Sequence, residues 1–365
     1  MSIILFFLIL LVLVLVHEAG HFFTAKFFGI RVDEFGFGFP PKLFGVKKGE
    51  TEYTFNALPI GGFVKIFGEN PDEENTDGPD AARSFVNKPV WQQAIVLFAG
   101  VFMNFLLAWF LFSVGFLTGL PTSVGSQPAG YQLQNVSLTV VSVLLKSPAE
   151  AAMLKSGDKI VSLESGKDVL AQINPDTLKQ FVVSHGNKEI DIGYTRGQDK
   201  TIQYAKVTPL SIAGGQPAIG ISMDEIGTLK LPFFRAISEG LSLTFSTLKD
   251  TATGLYTLVK QAVIGHGSLN DVTGPVGMVG IVGDAYKFGF VYLMSFAALI
   301  SVNLAIVNLL PFPALDGGRL FFLLIEKIKG SRISPKVANT ANMIGMGILL
   351  LLMVVITFHD VIKLF

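Results

Sequence analysis

The sequence predicts a multi-pass α-helical membrane protein with four transmembrane helices, membrane-associated β-hairpins and an inserted module of ordinary soluble composition. Half of the 365 residues are hydrophobic and only 15% are charged, far more apolar than a soluble chain of this length requires. Three uncharged stretches, Trp91 to Leu120, Phe288 to Leu310 and Val337 to Phe358, are each long enough to cross a bilayer. A fourth span forms at the N-terminus if an apolar run there continues through a polar motif. A net charge of zero argues against nucleic acid as a partner. The chain has no cysteine, so any metal must be held by histidine and carboxylate.

The N-terminal run, Ile3 to Val16, is almost purely aliphatic and aromatic. As a helix it rises only about 21 Å, short of a hydrocarbon core of about 30 Å. One reading makes it the apolar region of a signal peptide, but a basic leader and an A-x-A-like cleavage site are missing. The preferred reading continues the helix through His17-Glu18-Ala19-Gly20-His21 into Phe22, Phe23, Phe27, Phe28 and Ile30. Residues 31–67 alternate in polarity and are broken by glycine and proline, which predicts short strands turning near Lys47-Lys48-Gly49. Their phenylalanines suit hairpins dipping into the membrane under protein cover; a peripheral amphipathic loop is the alternative. The acidic run from Glu69 to Asp80 reads as a solvated loop. Residues 233–264 carry Phe233, Phe234, Ile237, Leu241, Phe245 and Leu248 at helical spacing, as in a helix lying on a membrane surface or against the spans.

These readings divide the chain into residues 1–120 (two spans and the hairpin region 31–67), 121–227 (the soluble module), 228–285 (an amphipathic helical connection) and 286–365 (spans three and four). The loop after Asp316 holds Arg319, Lys327, Lys329, Arg332 and Lys336 against Glu326 alone, which predicts that it is cytoplasmic. Four spans then put both termini and the soluble module outside, and residues 31–90 inside.

The chemistry concentrates in the first span. Ionisable groups at bilayer depth are costly unless paired or bound. His-Glu-Ala-Gly-His is the H-E-x-x-H pattern, with two histidines on one helical face able to share zinc. A hydrolytic zinc site needs a third protein ligand and an open position. His185, His266 and His359 fall in polar or terminal segments. Asp316 follows the third span directly, after Pro311 and Pro313, which must break the helix and can turn the carboxylate back toward the membrane interior. The competing reading has Asp316 capping a helix that begins near Arg319. With His17, His21 and Asp316 on zinc, Glu18 is the natural general base. Asn308 either donates a hydrogen bond to a developing oxyanion or bonds backbone freed by the prolines; both remain open.

His17-Glu18-Ala-Gly-His21 in a first span, Asn308-x-x-Pro-x-Pro-x-Leu-Asp316-Gly-Gly after a later one, and a soluble module between spans resemble the site-2 protease family, in particular its bacterial RseP-type members. Lesser matches are Gly36-Phe-Gly38, Leu58-Pro59-Ile60-Gly61-Gly62-Phe63, Ala99-Gly100 with Asn104, and Gly274-Pro275-Val-Gly277. Arg319 and Val101 depart from common family residues. The soluble stretch resembles a PDZ domain: Ser147-Pro148-Ala149 through Gly157-Asp158 matches its helix and turn, and Ala218-Ile219-Gly220-Ile221 its peptide-binding strand. One such module is present, where proteobacterial RseP members have two. The resemblance implies a zinc-dependent intramembrane endopeptidase of the bacterial inner membrane, with one zinc per chain. Its substrates would be transmembrane proteins already shortened outside, of the anti-sigma-factor or signal-peptide-remnant type. The unwound substrate would be held by β-addition to an edge in residues 31–67, and the PDZ module would filter by size or read a peptide tail.

Two other functions fit less of the sequence. A scaffold with a structural zinc would need four protein ligands, and only three are found. A metal transporter would carry polar residues along several spans, whereas spans two and four have almost none.

Overall fold

A computed structural model of the chain describes residues 1–70, 77–197, 199–211, 215–267 and 272–363. The middle of the acidic run, residues 71–76, lies outside them. The chain divides into two compact units, Met1–Phe112 with Ile237–Gly283 and Phe296–Phe365, and Ser113–Ala236 with Asp284–Ser295.

Among the described residues, four helices are long and apolar enough to cross a membrane: α1 (Ser2–Phe27), α2 (Val90–Thr118), α7 (Phe290–Leu309) and α9 (Pro335–Ile362). Helix α1 runs unbroken through the His17 and His21 positions, so the motif sits inside one continuous apolar element. Only 6% of the most apolar window of α9 is buried against protein. Between α2 and α7 lie α5 (Phe233–Val263) and α6 (Pro275–Phe288). The part of α5 in the first unit packs along α2 and α7: Trp109 donates to the Ile237 carbonyl at 2.9 Å, and Thr251 to Asn303 at 3.1 Å. The sequence reading does not separate helix α6 within the helical connection at residues 228–285, because its three glycines mask the pattern; Pro275 sits at its first position, where no N–H is needed. Its free N–H groups are taken up by the Asp360 carboxylate near the end of α9, at 3.2 Å from Gly274 and 2.8 Å from Gly277.

Residues 32–66 form two strands, β1 (Val32–Lys48) and β2 (Thr51–Ile66), longer than the short strands expected, with the turn at Gly49–Glu50. The register shows why the sequence looked broken. Glu34 to Phe37 pair with Lys65 to Gly62 on one side and with Glu52 to Phe55 on the other, while Lys42 to Lys48 pair with Asn56 to Thr51. Each strand is therefore bent near its middle, and the pair folds into four short segments. Gly62 lies against Leu15 of α1; a Cβ there would stand 3.1 Å from the Leu15 side chain and 2.8 Å from the Gly36 carbonyl. That close approach brings the strand edge beside the motif. Phe22, Ala25, Ile30, Val32, Phe35, Val64, Val96 and Leu97 form the buried core that joins hairpin, α1 and α2.

Helix α7 ends at Leu309, and the segment with Pro311 and Pro313 leads into α8 (Asp316–Lys329). The helix begins at Asp316 itself rather than near Arg319, and its cap position is Leu315, with no side-chain cap. Arg319, the departure from common family residues, pairs with Glu69.

The second unit is built on an antiparallel sheet. It contains β3 (Leu120–Ser123), β4 (Gln134–Val143), β5 (Lys159–Ser165), β7 (Ile190–Thr195), β8 (Gln203–Val207) and β11 (Ile221–Leu229), in the order β3-β11-β4-β5-β7-β8; the two-residue β6 (Asp168–Val169) pairs with β5, and β9 (Leu210–Ser211) with β10 (Pro217–Ala218). The short helix α3 (Pro148–Ala151) is capped by Ser147. Helix α4 (Pro175–Ser184) starts with a reciprocal Asn174–Thr177 capping box and buries Leu178, Phe181 and Val182 against the sheet core of Leu163, Ile190 and Ile192. Asp158 is fully buried and held by a bidentate pair of bonds from Arg196, at 2.6 and 2.7 Å.

Candidate metal centre

Helical periodicity sets the geometry on both sides of the site. His17 and His21 stand one turn apart on α1. Facing them is a stripe of α2 with the same period: Val96, Gly100 and Asn104. The Nδ1 of His21 bonds the Val96 carbonyl at 2.8 Å, and the Nδ1 of His17 lies 3.3 Å from the Asn104 amide. Gly100 stands between these contacts, where a Cβ would be 2.4 Å from Nε2 of His21 and 2.8 Å from Cε1 of His17. Gly20 plays the same part on α1, since a Cβ there would sit 2.4 Å from the Ala99 carbonyl oxygen. Glycine at both positions lets the two backbones close onto the imidazoles.

The third group comes from the start of α8. Asp316 Oδ2 lies 3.0 Å from Nε2 of His17 and 3.3 Å from Nε2 of His21, and the two Nε2 atoms are 3.1 Å apart. The histidines are buried. Gly317 and Gly318 let this turn fold tightly: a Cβ would come within 2.3 Å of the Leu309 carbonyl at Gly317 and 2.1 Å of the Phe312 oxygen at Gly318.

This donor set fits a metal cation. His21 donates from Nδ1 to a carbonyl, so its Nε2 presents a lone pair. That lone pair faces a second imidazole nitrogen and a carboxylate oxygen, and Asp316 Oδ2 is buried without a hydrogen-bond partner. Acceptors crowded together out of water are costly unless a cation sits among them. The edges also have the right length. A tetrahedron with such edges has its centre about 1.9 Å from each vertex, close to the usual zinc–nitrogen and zinc–oxygen distances of about 2.0–2.2 Å. His17 obeys the same logic: ligation through Nε2 puts the proton on Nδ1, which then needs an acceptor. Turning the Asn104 amide supplies one from its Oδ1, the atom that is otherwise buried and unpaired.

The remaining candidates line one cavity with this centre. It has a volume of 380 Å³, and among its walls are His17, Glu18, Asn104, Asn308 and Asp316, with Gly61 and Gly62 of the hairpin. Glu18 is half-buried beside the backbone N–H of Val64. Among the described residues no hydrogen bond ties Asn308 to the backbone around the prolines. His185 is occupied elsewhere, bonded to Phe181 and Asp168 in the second unit. Gly100 and Asn104 entered the sequence reading only as a motif match; their spacing, in phase with His17 and His21, was the available signal.

Comparison with known proteins adds the chemistry. The model of peptidase family M50 matches residues 5–352. A Clostridium perfringens protein with the provisional name zinc metalloprotease CPE1693 is 37% identical over 354 residues, covering 96% of this chain and 95% of the relative. The regulator of sigma-W protease RasP of Bacillus subtilis is 30% identical over 448 residues, covering 100% of this chain and 99% of the relative. The zinc metalloprotease RasP of Shouchella clausii is 29% identical over 442 residues, covering 99% and 98%. The chain therefore belongs to peptidase family M50, the site-2 proteases, and is a zinc metalloprotease.

Proposed function

We propose that the chain is an intramembrane endopeptidase that cuts transmembrane segments of proteins already shortened outside the membrane. The observation that carries this is the triangle of His17, His21 and Asp316 donor atoms on and against the most apolar helix of the chain. In this reading α1, α2, α7 and α9 span the inner membrane, with both termini and the sheet-bearing unit outside. The segmentation into residues 1–120, 121–227, 228–285 and 286–365 follows the same topology.

His17, His21 and Asp316 would hold one zinc ion, which would supply Lewis acidity to water and to the scissile carbonyl. Glu18, on the wall of the same cavity, accepts a proton from the attacking water at its carboxylate and delivers it to the leaving amine. Asn308, whose side chain makes no hydrogen bond to backbone among the described residues, donates from its amide to the developing oxyanion. Asn104 and the Val96 carbonyl fix the imidazole tautomers. A helical substrate exposes no carbonyl until it unwinds, and the strand edge at Gly61–Val64 is the element that would hold the unwound stretch by β-addition.

The sheet-bearing unit acts as a PDZ module. Strand β3 pairs only with Ile226 to Leu229 of β11, so the start of β11 keeps an unpaired edge among the described residues, available to a peptide tail. Size filtering is its other role by analogy. The Bacillus subtilis relative is named for sigma-W regulation, which supports a substrate of the anti-sigma-factor class; signal-peptide remnants are the second class.

The test uses the purified chain in detergent with a truncated single-span substrate. Glu18→Gln should abolish cleavage and leave zinc content and folding intact. Cleavage at the parent rate by that variant would end this reading.

A further inference from the structure

The loop that delivers Asp316 carries a conformation its own residues do not favour. Ala314, two positions upstream, has φ of +76°, the left-handed region that an alanine side chain disfavours. It lies between Pro313 and the cap residue Leu315, so relaxation of Ala314 toward negative φ would re-aim the chain entering α8 and swing Asp316 away from the imidazoles.

Two features of the last helix oppose that relaxation. Asn342 Oδ1 accepts a hydrogen bond from the Ala314 N–H at 3.2 Å. One turn on, Gly345 is buried against Pro313, where a Cβ would stand 2.5 Å from the Pro313 oxygen and 2.8 Å from its Cβ. The helix backbone thus lies directly on the loop, at a distance only glycine permits, and the asparagine anchors the peptide N–H of the left-handed residue.

We infer that Asn342 is a positioning residue for the metal carboxylate, acting by holding Ala314 in its left-handed conformation, with Gly345 providing the close approach. The inference rests on Asp316 being the third metal ligand. It assigns to α9, the helix with the least protein cover, a part in assembling the site. It also makes a particular rescue possible: glycine adopts positive φ without the penalty alanine bears, so Ala314→Gly should remove the need for Asn342.

The experiment measures zinc retention by the full chain in detergent against a graded chelator series, together with kcat and KM on a single-span substrate. Asn342→Ala should weaken zinc binding about tenfold, the worth of one hydrogen bond that sets a conformation, and lower kcat more than it raises KM. Adding Ala314→Gly to that variant should restore most of the loss. Unchanged zinc retention in Asn342→Ala, or a loss that Ala314→Gly leaves uncorrected, overturns the inference. Should Asn342→Ala alone fail to fold, the double variant decides: folded and zinc-loaded supports the inference, unfolded or zinc-free overturns it. Asp316→Ala, run in parallel, separates the two levels. Parent-like zinc retention by that variant would refute the ligand assignment itself.

Discussion

Gly100→Ala adds one methyl group at the point where α2 meets both imidazoles. Its Cβ would stand 2.4 Å from Nε2 and 2.6 Å from Cε1 of His21, and 2.8 Å from Cε1 of His17. Ordinary carbon contacts begin near 3.4 Å, so the His21 ring must retreat by about 1 Å, several times the roughly 0.2 Å tolerance of a metal–ligand bond. The ring cannot do this and keep both its Val96 bond and its place in the donor triangle. Displacing an outer-shell partner alone costs about 10- to 100-fold in metal affinity, so pushing a ligand off its position should cost at least about 100-fold. The fold should suffer less, about 1–3 kcal/mol, because the clash is with ring atoms that can rotate rather than with backbone. Zinc retention at buffered free zinc gives the first quantity and the thermal midpoint of the zinc-free protein the second. Gly347→Ala, also in an apolar helix but with nothing within 4 Å of its Cβ, is the control and should leave both unchanged or slightly raise the midpoint. A folded Gly100→Ala protein that binds zinc within twofold of the parent would refute the claim that this contact sets the site.

Two further outcomes follow from the ion pairs. Arg196→Ala leaves the fully buried Asp158 carboxylate without its bidentate partner. It should destabilise the sheet-bearing unit by about 3–5 kcal/mol, read as faster hydrogen exchange in β5 and β7 of the intact chain. Glu50 is held below the usual carboxylate range by hydrogen bonds from Lys26 and Arg83, each at 2.6 Å. Its unfolded form therefore binds protons first as pH falls, so the pair's contribution is complete above the ordinary glutamate value of about 4.3 and disappears as pH drops through the lowered one. Glu50→Gln should flatten the acid limb of stability against pH; an unchanged limb would show that the pairs contribute nothing there.

The sequence already contained the four long apolar helices, because length and composition mark such helices whatever the tertiary arrangement. It also marked His17, Glu18 and His21, since i,i+4 spacing fixes their shared face, and it marked Asp316 through the two prolines that end α7. Elements that depend on distant partners were less legible. Three glycines hid α6, whose first turn is satisfied by Asp360 from the far end of the chain. The hairpin read as short strands because its bends are written locally, whereas the pairing of Glu34 to Phe37 with both ends of β2 is not.

By itself the amino-acid order determined which side chains are candidates for the chemistry and which helix holds them, since both are matters of local period and composition. The tertiary structure alone decided that an aspartate almost three hundred residues downstream meets the imidazoles, and that α2 supplies a carbonyl, an amide and a glycine-sized gap behind them. It also decided that α9 grips the loop carrying the aspartate. These are contacts between elements, governed by backbone approach distances that sequence spacing does not encode.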